Sequence, residues 1–95
     1  MALSQSFLGV EIFYNADPNI AAEDNRTCIK LFHIRNSYAD HTPSPYCNIL
    51  SLSGTINPNS SDALKITQIA LGYGSRDVYI KYRYKDGDAN WSGWS

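Results

Sequence analysis

The stretch Val78-Tyr79-Ile80-Lys81-Tyr82-Arg83-Tyr84 decides the fold. Its side chains alternate with a period of two, the pattern of a β-strand with one face toward a core and the other toward water. Val78, Ile80, Tyr82 and Tyr84 share one face and are expected to point inward; Tyr79, Lys81 and Arg83 share the other. Asp86-Gly87-Asp88 follows where a hairpin turn would reverse the chain. The sequence then closes on Trp91-Ser92-Gly93-Trp94-Ser95.

Working outward, Leu64–Leu71 reads as a second strand, stopped by Gly72-Tyr73-Gly74-Ser75. Tyr46–Ser53 sets Cys47, Ile49 and Ser51 against Tyr46, Asn48, Leu50 and Leu52. Cys28–Arg35 carries apolar residues on both faces, Ile29 and Leu31 against Cys28, Phe32 and Ile34, which predicts a strand covered on both sides. Phe7–Tyr14 places Leu8, Val10, Ile12 and Tyr14 opposite Gly9 and Glu11. Turn formers fill Asn15–Asn19, and Pro43 and Pro45 make Asn36–Pro45 a loop. Thr55–Ala63 is a further loop, and Ile20–Asn25 has room for one helical turn. These readings predict a mainly β chain, or α+β if that turn forms. Residues 1–95 make one small domain of about five short strands.

Composition narrows the function classes. The chain has 95 residues, 43% hydrophobic and 18% charged, with a net charge of −1. That is too apolar for intrinsic disorder and too neutral for a general pull toward nucleic acid. No apolar run reaches the length of a membrane span, and no signal-peptide core is expected at the N-terminus. A domain of this size buries roughly two-thirds of its surface and leans on a second copy, a disulfide or a metal.

Residues able to do chemistry are few. Cys28 and Cys47 allow one bridge at most, and the sequence leaves their pairing open. With His33 and His41 they supply four zinc-ligand types, but C-x-x-C and H-x3–5-H spacings are missing, so no metal is expected. A Cys28–His33 nucleophile pair fails because the two project to opposite faces of one strand. The acidic pairs Asp86/Asp88 and Glu23/Asp24 fall in turns, where acids are expected anyway. No phosphate-cradling glycine loop, H-E-x-x-H or G-x-S-x-G is present, so neither catalytic residues nor a cofactor are expected. Asp86-Gly87-Asp88-Ala89-Asn90 is half a calcium loop, with Trp91 where glycine is needed.

Half of the eight basic residues (Arg76, Lys81, Arg83 and Lys85) interleave with Tyr79, Tyr82, Tyr84, Trp91 and Trp94. A single-strand nucleic-acid surface would look like this. The strand period leaves only Tyr79 on the basic face, so nucleic acid is not the expected partner. Tyr and Trp rings also suit stacking on sugars. Trp91 and Trp94 are three apart and would point to opposite faces of an extended segment.

From Cys28 to Ser95 the chain resembles the knob domain of phage and pyocin tail fibres. The residues that carry this are Thr42-Pro43-Ser44-Pro45 leading into Tyr46–Leu52, then Gln68-Ile69-Ala70, Val78–Arg83, and the closing Trp91-Ser92-Gly93-Trp94. Two features depart from the pattern. The family's Gly-Phe-Tyr is missing near Ile29–His33, and its few residues beyond W-S-x-W are absent, as in a chain cut short or completed by partners.

The resemblance implies a non-enzymatic virion component near the distal part of a tail fibre, homotrimeric and in contact with other tail or virion proteins. It would serve host-surface attachment or fibre assembly, with a cell-surface glycan as ligand. Its location would be the virion tail after assembly in the host cytoplasm, or otherwise extracellular. The alternative is a free-standing lectin-like carbohydrate-binding domain. Ligand-contact candidates are Tyr79, Trp91, Trp94, Arg83, Asp88 and His41, of which Trp91, Trp94 and Arg83 are also expected to hold the fold together.

Overall fold

One mixed six-stranded sheet, ordered β1 to β6 as in the sequence, organises the computed structural model, which describes residues 3–7, 9–22, 28–36, 40–54, 59–74 and 78–95. The strands are β1 (Leu3–Phe7), β2 (Val10–Tyr14), β3 (Ile29–Arg35), β4 (Tyr46–Ser53), β5 (Lys65–Gly72) and β6 (Ile80–Asp86). Short 3-10 turns occupy Pro18–Ala22 and Ser61–Leu64. The chain is mainly β, as its sequence predicts. Glu23, Asp24 and Arg76, named above, lie outside the described residues.

The expected strand Phe7–Tyr14 breaks at Gly9, whose φ of +79° reverses the chain so that Phe7 pairs with Val10. That hairpin adds β1, a strand beyond the five expected. β2 and β3 are parallel, and the remaining neighbours are antiparallel. A parallel pair needs a long crossover. Here it runs through Asn15 to Cys28 and lays Ala16, Pro18 and Ala21 as buried residues against the sheet.

One face of the sheet holds the core. Phe13 and Phe32 stack at 4.9 Å between centroids, and Ile34, Cys47, Ile49 and Ala70 are buried beside them. The crossover, the proline loop around Thr42 and the closing Trp91–Ser95 segment cover this face. Thr42 is buried there, donating its hydroxyl to the Ser44 carbonyl at 2.7 Å.

The opposite face stays open, which corrects two expectations. The chain covers β3 on one side only: Phe32 and Ile34 are buried while Leu31 is exposed. On β6 the buried side chain belongs to the polar set, and it is Arg83. Arg83 is 4% exposed, whereas Ile80, Tyr82 and Tyr84 are 75%, 53% and 54% exposed and Val78 before them 83%. Alternation locates two faces without saying which is inside. Here the register decides, because Arg83 lies opposite Gln68 and can be satisfied internally.

The register also answers the cysteine question. Ile29 pairs with Leu52 and Ile34 with Cys47, so Cys28 and Cys47 lie at opposite ends of the β3–β4 ladder. At about 3.3 Å per residue they are roughly 20 Å apart, far beyond the ~7 Å Cα separation that a disulfide spans. Both are free thiols. Adding reductant is expected to leave the melting temperature unchanged in a thermal scan; a drop of several degrees would contradict this register.

Candidate functional site: a polar row under two tryptophans

From β2 to β6, each strand places a polar residue of its core face at the same level of the sheet. Glu11 of β2 pairs with Lys30 of β3, Lys30 with Ser51 of β4, Ser51 with Gln68 of β5, and Gln68 with Arg83 of β6. The result is a polar row running straight across the strands. Lys30, Ser51, Gln68 and Arg83 are all buried, which is tolerable only with internal partners. Gln68 meets that condition fully. Its amide donates to the Pro18 carbonyl at 2.9 Å and to Ser51 Oγ at 3.2 Å, while its Oε1 accepts from Arg83 Nε at 2.8 Å. At the far end, Glu11 Oε1 is buried with no hydrogen-bond partner among the described residues.

Arg83 ends the row. Its Nη2 donates to Asn19 Oδ1 at 2.7 Å, and its guanidinium lies 3.9 Å from the Trp91 ring centroid and 4.9 Å from that of Trp94. Two indoles over one guanidinium combine cation–π attraction with planar stacking, which an ammonium could not match. Burial pushes the Arg83 pKa down to about 10, with the Asp17 charge opposing, so the group stays cationic at neutral pH.

The tryptophans reach one face because the closing segment carries a bulge. Ser95 exchanges both backbone hydrogen bonds with Tyr82, and the Ser92 N–H donates to the Tyr84 carbonyl at 2.8 Å. Three residues of the segment therefore match two of β6, which returns Trp91 and Trp94 to the same side. Ser92 Oγ accepts the Tyr84 N–H at 2.9 Å, replacing the carbonyl that the bulge moves away. The expectation of opposite faces assumed a regular strand, and the extra residue overturns it.

Four of the six predicted contact residues thus converge: Arg83, Trp91, Trp94 and His41. His41 joins through its backbone, whose carbonyl accepts Trp94 Nε1 at 3.1 Å; its ring sits 2.7 Å from Asp17 Oδ1. Asp17 also accepts the Asn19 N–H at 2.9 Å, so the crossover is held in the shape that presents Asn19 to Arg83. Tyr79 is half-buried against the core, its hydroxyl 2.7 Å from Ser44 Oγ, with Lys81 Nζ 5.6 Å from its ring centroid. Asp88 stands apart on the exposed turn. There Lys85 Nζ donates to the carbonyls of Gly87 and Ala89 at 2.7 and 2.9 Å, which ties the turn to β6.

Comparison with protein-family models, with curated proteins and with solved structures finds no match.

Arg83, Lys81 and Lys85 do not form one basic surface, since one is buried, one lies over Tyr79 and one is tied into a turn. The Cys and His residues do not converge either: Cys47 lies in the core, while His33, on the open face, is 2.6 Å from Asn48 Oδ1 and stacks on Tyr73. Among the described residues no helix is long and apolar enough to cross a membrane. Sequence reasoning missed Asp17, Asn19, Lys30 and Ser51, and used Gln68 only for the family resemblance. The available signal was one polar residue flanked by apolar ones in each strand.

Proposed function

We propose that this chain is a non-enzymatic module of a phage or phage-like tail fibre, contributing to host-surface attachment or fibre assembly as a homotrimer beside other tail or virion proteins. The observation that carries this is the one-sided sheet. Arg83, Trp91 and Trp94 are spent on fastening the closing segment to the core, and the large surface left for contact is the apolar face behind them. A face of that kind suits a part built into a larger assembly rather than a self-sufficient enzyme. The family resemblance supplies the setting. Mass spectrometry of purified tail particles tests the reading: the chain should be found in them, and its gene among tail genes. A gene remote from tail genes, with the protein missing from particles, overturns it.

A lectin-like activity remains the second reading, favoured by the half-buried indoles of Trp91 and Trp94 beside Asp17 and His41. Tryptophan fluorescence titrated with bacterial surface sugars tests it. A saturable change supports it, and a flat response across the set removes it.

A further inference from the structure

We infer that the open face of the sheet is the seat of a second copy of this chain, an inference that rests on the assembly reading and names its interface. Eight large apolar side chains are exposed among the described residues, and strand alternation places the seven that lie in strands on this one face; Val78 just precedes β6. They span the sheet from Tyr14 on β2 through Leu31 and Leu71 to Tyr82 on β6. At roughly 200 Å² for a large side chain, about half exposed, these seven offer on the order of 700 Å². The largest apolar patch on an ordinary monomer is about 300–600 Å², while one partner of a stable interface buries about 800 Å². The area belongs to an interface.

Shape and charge select the occupant. A hollow of about 240 Å³ opens between Ile12, Leu31, Leu50 and Leu71, with His33 and Asn48 at its polar end. Beyond it, Ile80 and Tyr82 on β6 stand out as a ridge. Hollow and ridge on the same face let one copy fill the other, and a phenol entering the hollow would find Asn48 or His33 for its hydroxyl. Charged residues of this face, Arg35, Lys65 and Asp86, sit only at strand ends, leaving a centre free of charge as interface cores require. A net charge of −1 raises little repulsion between copies and gives no attraction to anionic lipid. Edge-to-edge pairing through β6 is blocked, because Ser92–Ser95 already occupy its outer hydrogen-bonding groups. The open face is then the largest apolar surface through which copies can meet.

Sedimentation velocity on the full chain, from about 1 to 100 µM, tests the interface. The unmodified protein should be oligomeric. Leu31→Asp and Leu71→Asp should each raise the dissociation constant on the order of a hundredfold or more, since each would bury an unpaired charge. Ile80→Lys sits at a residue 75% exposed and so spares the fold; it should weaken association in the same direction, with an unchanged circular dichroism spectrum. A monomer across the whole range, or an oligomer that all three substitutions leave intact, overturns the inference. A monomeric chain found in tail particles would sink this interface and the homotrimer while sparing the place in the tail; an oligomer missing from tails would do the reverse.

Discussion

Arg83→Met is expected to destabilise the fold by about 3 kcal/mol, a large share of the 5–15 kcal/mol typical of a domain. The side chain supplies a charge-assisted hydrogen bond to buried Gln68 Oε1 at 2.8 Å and another to Asn19 at 2.7 Å, each of a type worth about 1.5–3 kcal/mol. The two stacked indoles add about 0.5–2 kcal/mol. Relief of the guanidinium's burial, the cause of its lowered pKa, offsets part of that sum. Most of the loss comes from orphaning Gln68, which is fully buried. Adding Gln68→Leu to Arg83→Met should therefore recover part of it rather than add to it, a coupling that a double-mutant cycle reads directly. Arg83→Lys should restore little, because an ammonium neither forks between Gln68 and Asn19 nor offers a planar group to the two indoles. Urea denaturation at fixed protein concentration checks the four proteins of that cycle and Arg83→Lys. Additive losses, or a loss under about 1 kcal/mol for Arg83→Met, would contradict the network.

Phe32→Ala should cost about 3–5 kcal/mol, the usual range for a buried phenylalanine. Phe32 is 1% exposed, stacks on Phe13 and lies opposite Ile49, so the lost ring leaves a cavity that rigid sheet neighbours cannot close. Phe32→Leu keeps most of the volume and should cost about 1.5 kcal/mol or less. The same urea series reads both as a shift in midpoint at constant slope. A similar cost for the two substitutions would mean that the Phe13–Phe32 stack is not the centre of packing.

The limits of reading this sequence follow from particular residues. Tyr46–Ser53 emerges with the expected bounds because its period of two is uninterrupted and turn formers flank it. Pro43 and Pro45 likewise mark their loop plainly. Phe7–Tyr14 misleads because alternation carries across Gly9, and only its positive φ reveals the hairpin. β6 misleads more deeply. Four apolar residues on one face ordinarily signal the core side, but an arginine opposite a glutamine can be buried, and four apolar residues can await a partner. Apolar residues on both faces of β3 predict cover on both sides, but the chain covers only the face of Phe32 and Ile34. The convergence of Trp91 and Trp94 depends on a one-residue bulge, which follows from tertiary pairing and not from local pattern.

The claim that most needs testing is that the apolar face of the sheet points outward and is covered by a second copy. Hydroxyl-radical footprinting of the full chain through a dilution series, read residue by residue by mass spectrometry, tests both halves at once. Leu71, Ile80 and Tyr82 should gain reactivity as the protein is diluted and reach the level of free side chains, while Phe32, Ile34 and Ile49 stay protected throughout. Protection of Leu71, Ile80 and Tyr82 at every dilution, with Arg83 and Gln68 reactive, would mean that the sheet faces the other way.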